Sequence, residues 1–244
     1  MYYLTLSWDD GFLKSSLKTA EIFERFGLRA EFNVLATAHL PDNALPAEMQ
    51  PGACWGAPYG DFGLWNELQA RGHVVQPHGY RHANKSKLPF NEARGQILKC
   101  LEVFSSQLAG FEPAQTIFAF PYNDSTPDLE AWLPGVVRAF RTSGHAINPL
   151  PSPHTVKLTT SGDEDAEPWL DRCLEDLLRT PDGWLIYNAH GLDREGWGPL
   201  RSEYLFRVLE KLVVQSDLKI LPACDVLDLT KHAVNRTDPD SAHH

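Results

Sequence analysis

The chain has 244 residues, 43% of them hydrophobic and 22% charged, with a formal net charge of -10. That length and apolar content can bury one substantial core, and barrels reach this size undivided, so a single domain over residues 1–234 with a polar tail at 235–244 is expected. The acidic balance disfavours nucleic acid and anionic membranes as partners, because a polyanion would be repelled over most of the surface; neutral or cationic substrates fit better.

The N-terminal stretch MYYLTLSWDDG has no basic segment followed by a long apolar run, and no window approaches eighteen uninterrupted apolar residues. Neither a leader nor a membrane span is predicted, and with Met1 as the start the expected location is the cytoplasm. Short apolar runs alternate with helical patterns along the chain, the signature of parallel strands joined by crossover helices. Seven strands are predicted. The first is Tyr2 to Ser7, followed by a helix with Leu13, Leu17, Ala20 and Phe23 at helical spacing and Gly27 as its stop. The second is Ala30 to Leu35. After a Pro-rich loop from His39 to Gly60, Asp61 is placed to cap a helix carrying Leu64, Trp65 and Leu68, which Gly72 ends. His73 to Gln76 is the third strand. Asn91 is predicted to cap a long helix with Ile97, Leu101, Phe104 and Leu108 on one face, ended by Gly110. Thr116 to Phe120 and Val136 to Phe140 are strands four and five. A polar loop from Ser143 to Glu167 leads to a helix with Leu170, Leu174 and Leu177, an Asp182-Gly183 turn, and strand six at Trp184 to Ala189. A last helix over Ser202 to Gln215 precedes strand seven at Leu218 to Leu221. Cys54, Cys100, Cys173 and Cys224 are widely spaced with no CxxC pair, so they are expected to be reduced, buried small hydrophobes rather than a zinc ribbon or disulfide framework.

The residues suited to chemistry fall just past the carboxyl ends of these strands: Asp9 and Asp10 after the first, His78 and His82 after the third, Tyr122 after the fourth, His190 after the sixth. In alternating barrels the loops at that end meet over one mouth, so residues distant in sequence become neighbours. His78 and His82 are four apart in HGYRH, a spacing that on a helical turn aims both imidazoles the same way, although two surface histidines on a loop would read alike. Asp10 offers a third ligand, and two histidines plus a carboxylate leave a position open for water, as a catalytic zinc site requires. Adjacent Asp9 and Asp10 form either a solvated turn before a helix or a division of labour, one binding metal and the other taking a proton from water. Gly11 lets the chain turn sharply. His190, where WLIYNA runs into a His-Gly turn, is either a packed histidine or a proton donor to a leaving amine. Trp55, Tyr59, Tyr80 and Trp197 are candidates to line a sugar-binding mouth, and Trp197 is foremost because its EGWGP loop adjoins His190; ordinary packing is the competing role for each.

Together these segments resemble a known family. SWDDG is similar to the TFDDG motif, HGYRH to the H[ST]xxH motif, FAFPYND to the RxxPY motif, and LIYNAHG to the terminal hydrophobic-x-His motif of the polysaccharide deacetylases, the NodB-like carbohydrate esterases, in the family's order over residues 5 to 191. The resemblance implies an α/β fold, a distorted barrel with about seven parallel strands, and a hydrolase that removes acetyl groups from N-acetylated sugars. It assigns Asp9 as general base, Asp10, His78 and His82 as ligands of a divalent metal, zinc by preference, and His190 as general acid, with the backbone N–H of Tyr122 helping to hold the oxyanion. The substrate is then a carbohydrate or a small acylated amine. Four departures stand out. Trp8 replaces the usual Phe, and Gly79 the Ser or Thr that steadies the histidine loop. Ala119 stands where many members carry an Arg that orients the base, so either another cation substitutes or Asp9 works without one. Asn188 takes a position that is usually Leu and lines the acetyl pocket. The Asp that supports the catalytic His has no secure place, with Asp163 and Asp165 as candidates. Two other functions stay open: a different C–N hydrolase on the same barrel, acting on a linear or cyclic amide, and a non-catalytic carbohydrate-binding relative, against which Asp9 and His190 argue.

Overall fold

The computed structural model describes residues 1–40 and 58–234, so Cys54, Trp55 and the expected tail from 235 lie outside the described residues. In chain order the elements are β1 (Tyr2–Asp10), α1 (Leu13–Glu24), β2 (Glu31–Val34), α2 (Phe62–Ala70), β3 (Val74–Pro77), α3 (Phe90–Gln107), β4 (Ile117–Ala119), α4 (Pro127–Trp132), β5 (Ala139–Ser143), β6 (Ile147–Pro149), β7 (Lys157–Thr160), α5 (Ala166–Arg179), β8 (Gly183–Ala189), α6 (Ser202–Leu212), β9 (Leu218–Ile220) and α7 (Ala223–Val234).

Parallel pairing organises the strands around β1. It pairs with β8 along Tyr3–Trp8, so its other edge holds both β9, at Tyr2–Leu4, and β2, at Ser7–Asp10. β3 extends this sheet beyond β2, and a second parallel sheet runs β4, β5, β7. The two sheets meet where a parallel bridge joins Ser161, just after β7, to Tyr187 of β8. The other seam, between β3 and β4, is closed by a side chain: Gln76 Oε1 accepts hydrogen bonds from Ile117 N at 3.0 Å and from Thr116 Oγ1. Seven parallel strands therefore circle a distorted barrel, the number expected, but β7 takes the place in the ring that the sequence pattern assigned to β9.

Side-chain alternation divides the core in two. Leu4, Leu6 and Trp8 of β1, Phe32 and Val34 of β2 and Leu185 and Tyr187 of β8 face outward into the large cluster beneath the helices. The inward faces begin with an apolar plug of Ile117, Ala139, Leu158, Trp184 and Ile186, closed by Ala223, Val226 and Leu227 of α7. Above the plug the interior is polar, with Ser7, Glu31, Asn33, Arg141, Thr160 and Asn188 all buried. Buried polar groups persist only when paired, so this layer must be a hydrogen-bonded network.

Several local expectations need correction. The Ser143–Glu167 segment is not all loop: it contains β6, antiparallel to β8, and β7. Its polarity comes from Thr160 lining the barrel interior. Strand five lies at Ala139–Ser143, displaced because Val136 N and Val137 N donate back to Leu133 O and so prolong the helical turn of Leu133–Gly135 into the start of the apolar run. Pro89, not Asn91, precedes the first turn of α3. Asp61 does cap α2, accepting from Leu64 N at 3.0 Å. Cys100 and Cys173 are free and buried, and Cys224 is free and half-buried. Among the described residues no helix is long and apolar enough to cross a membrane.

Candidate active site

The end of β1 sets the site. Asp10 has φ 74° and Gly11 φ 88°, a left-handed pair that bends the chain out of the strand. A Cβ on Gly11 would come 2.9 Å from Trp65 Cζ2, so only glycine fits there. A non-glycine residue in this region carries strain of the kind that collects at functional positions. The bend aims Asp10 at the loop after β3, where His78 Nε2 lies 3.5 Å and His82 Nε2 3.2 Å from Asp10 Oδ1.

Each histidine is positioned from behind. His78 Nδ1 lies 3.0 Å from the Ala119 carbonyl. A carbonyl can only accept, so Nδ1 carries a proton and the ring is fixed with Nε2 turned to the site. The His82 loop is held by Lys85, whose fully buried Nζ donates to Arg81 O at 3.3 Å, Ala83 O at 3.0 Å and Gln96 Oε1 at 3.1 Å. Burial lowers the Lys85 ammonium to about 8. Gly79, at φ 112°, leaves room for this arrangement: a Cβ there would sit 3.2 Å from Arg81 O and 3.3 Å from Pro121 Cγ.

Donor atoms of Asp10, His78 and His82 lie within 4.8 Å of one another. Neither Asp10 oxygen accepts a hydrogen bond among the described residues, although both are buried. Burial by itself would raise the Asp10 carboxyl, but the facing His82, His78 and His190 hold it well below the usual carboxylate range. Burial pushes His82 down to about 4, leaving it neutral. A carboxylate without hydrogen-bond donors and two imidazoles converging on one point form a donor set that suits a divalent cation.

Asp9 is held differently. Asn33 Nδ2 donates to its Oδ1 at 2.9 Å, and Arg141 grips both oxygens, Nη1 to Oδ1 at 2.9 Å and Nη2 to Oδ2. Arg141 Nη1 also donates to Ser7 Oγ at 2.7 Å, and Ser7 in turn donates to Glu31 Oε1 at 3.3 Å. Glu31 Oε2 accepts from Ala223 N at 2.6 Å, linking the network to α7. Burial opposes ionisation of Asp9, yet Arg141, His78 and His190 overcome it and keep the carboxyl below its ordinary value. The missing cation at Ala119 is thus supplied from the neighbouring strand: Ala119 and Arg141 are paired residues of β4 and β5. Sequence reading missed Arg141, although an arginine directly after the apolar run VVRAF was a usable signal.

Asp9, His78 and His82 line a cavity of about 610 Å³ together with Tyr122, Asn123, Ser143, Thr160, Asn188, His190 and Trp197. His190 stands edge-on to Trp197, ring centroids 5.4 Å apart. The loop behind it is tied to the start of α1, where Ser15 N and Oγ donate to Glu195 Oε2 at 2.8 and 2.6 Å. Tyr122 has φ 61°, with its ring 4.5 Å from that of His82. Asp9, Asp10, His78, His82, Tyr122, Asn188, His190 and Trp197 are therefore brought together. Tyr80 and Tyr59 do not line the cavity: Tyr80 faces Lys99 and Arg81, and Tyr59 stacks on Phe12. Asp163 accepts from Asp165 N and lies 4.0 Å from Arg172, and neither acidic residue bonds His190 among the described residues.

Residues 2–133 match the family model described as polysaccharide deacetylase. No curated protein sequence matches the chain. Among solved structures the fold is shared with the peptidoglycan deacetylase PdaC from Bacillus subtilis, at 15% identity and TM-score 0.57 over 96% of this chain and 94% of that one. It is shared with a family 4 acetyl xylan esterase from Clostridium thermocellum in complex with a cobalt ion, at 16% identity and TM-score 0.59 over 93% and 91%. Puue allantoinase is similar at 12% identity and TM-score 0.66 over 97% and 92%.

Proposed function

The chain belongs to the polysaccharide deacetylase family, and from that premise we propose that it is a divalent-metal-dependent hydrolase removing acetyl groups from N-acetylated sugars, within one domain over residues 1–234. The observation that carries this reading is the pair of adjacent carboxylates in opposite settings: Asp10 without hydrogen-bond donors beside two imidazoles, Asp9 gripped by Arg141.

Asp10, His78 and His82 would hold the ion, and two nitrogens with one carboxylate oxygen favour zinc. A divalent ion bound there supplies Lewis acidity, polarising the acyl carbonyl and making water more acidic. Asp9 takes the proton from the attacking water; Arg141 keeps it ionised and fixes its angle of approach. The backbone N–H of Tyr122 donates to the carbonyl oxygen as negative charge develops there. His190, half-exposed across the mouth, protonates the amine as the C–N bond breaks. Exposed aromatic faces on Trp197 and Tyr122 offer the sugar ring an apolar platform.

A second reading, a hydrolase of another linear or cyclic amide, draws support from the polar wall formed by Asn123, Thr160 and Asn188, where a plain methyl group finds little apolar surface. The deacetylase reading is tested with Asp9→Asn and His190→Ala, each of which should lower acetate release from N-acetylglucosamine oligomers by roughly 10²- to 10⁴-fold, the usual worth of a positioned base or acid. Near-normal turnover in either variant would remove that residue from the chemistry.

A further inference from the structure

β8 presents Trp184, Ile186 and Asn188 to the barrel interior in succession, and Asn188 is the last of them before the mouth. It is 4% exposed. Its amide orientation is dictated by its neighbours. Arg141 Nη2 donates to Asn123 Oδ1 at 3.2 Å, which turns Asn123 Nδ2 onto Asn188 Oδ1 at 3.4 Å. Thr160 Oγ1 lies 3.4 Å from the same Oδ1 but donates its proton to Ile186 O at 2.7 Å, so Asn123 is the donor that sets the amide. With Asn123 Nδ2 donating to the oxygen, the Asn188 Nδ2 is turned away from Asn123, and no described residue accepts from it.

Gly162 lies beside this amide. A Cβ there would come 3.2 Å from both Asn188 Oδ1 and Trp197 Cζ3, so its absence widens the cavity at this point. A carbonyl placed between Asp9 and His190 sends its amine toward His190 and Trp197 at the mouth and its acyl carbon down toward Asn188. An acetyl methyl there would cover the cavity-facing N–H groups of Asn188 without offering them an acceptor. An oxygen on the carbon next to the carbonyl would supply one.

We propose that this end of the cavity is a subsite for an acyl group bearing an oxygen next to its carbonyl, hydroxyacetyl being the smallest, with Asn188 as the residue that selects it. The inference rests on the amide-hydrolase reading. The reaction balances as that hydrolysis does: water forms the new C–O bond, the C–N bond breaks, the amine keeps the electron pair and gains a proton, and glycolate leaves in place of acetate.

The test is a titration of the zinc-loaded protein with sodium glycolate and sodium acetate, as wild type, Asn188→Leu and Gly162→Ala, with rates on N-glycolyl- and N-acetylglucosamine measured alongside. Glycolate should bind roughly tenfold more tightly than acetate, about the worth of one buried hydrogen bond, and Asn188→Leu should bring the two acids to near parity. Gly162→Ala, which narrows the same space, should erode the preference as well. Equal affinities in the wild type would overturn the proposal. So would a glycolate preference that survives Asn188→Leu, because it would report chelation of the ion by the hydroxy acid. Binding is read without turnover: hydrolysis of neither amide with the binding preference intact defeats the hydrolase reading, whereas hydrolysis with no preference defeats only the subsite.

Discussion

Arg141 sits one strand away from the position at which a cation was sought, and that displacement explains how the site keeps an ionised Asp9 beside an alanine at 119. The carboxyl is buried, and burial alone would raise it; the guanidinium reverses the sign. Arg141→Met should therefore raise the Asp9 carboxyl, move the acid limb of the kcat/KM profile to higher pH and lower the rate at neutral pH by on the order of 10²-fold. A profile whose acid limb stays in place would show that Arg141 does not govern the base. Asp9, Asp10, His78, His82 and His190 were legible in the sequence because each sits in a short run beside a strand end. Arg141 was not, because the predicted strand ended at Phe140, just before it and three residues short of Ser143. The partner of His78 was also hidden: it is the main-chain oxygen of Ala119, which no side-chain pattern can report.

At the scale of elements, the apolar-run pattern located the strands whose outward faces are apolar and lost those whose inward faces are polar. β7 reads as loop because Lys157 and Thr159 are polar while Thr160 lines the cavity. α7, which carries Val226 and Leu227 into the barrel base, is not predicted at all: the sequence pattern assigns no element between Leu221 and the tail at 235. At the β3–β4 seam one side-chain oxygen stands in for a strand ladder. Gln76→Leu leaves the buried Ile117 N–H without its acceptor and should cost about 1–3 kcal/mol, read as a lower urea midpoint at unchanged slope. A midpoint equal to that of the wild type would mean that packing alone closes the seam.

Across the whole molecule, ionisable groups in the barrel interior set the pH dependence of stability in opposing directions. Burial pushes Glu31 up to about 7 against an ordinary value of 4.5, so its contribution is fully present below about 4.5 and is lost as pH rises through about 7. His82, lowered to about 4, acts the other way in the metal-free protein, because the unfolded chain binds the extra proton between about 4 and 6.5. The two slopes largely cancel, so the informative quantity is a difference. Between pH 5 and pH 7.5, metal-free Glu31→Gln should gain roughly 2 kcal/mol relative to the wild type, measured by urea unfolding at each pH. A constant difference across that range would mean that Glu31 ionises in the fold as readily as in the unfolded chain.

The central claim is that Asp10, His78 and His82 hold an ion on which hydrolysis depends. Its most direct test is acetate release from N-acetylglucosamine oligomers by the metal-stripped protein, before and after addition of zinc, with Asp10→Ala alongside. The geometry predicts no release without metal, restoration by one equivalent of zinc, and no restoration in the variant. Release that persists after stripping, or that zinc restores equally in Asp10→Ala, would contradict it.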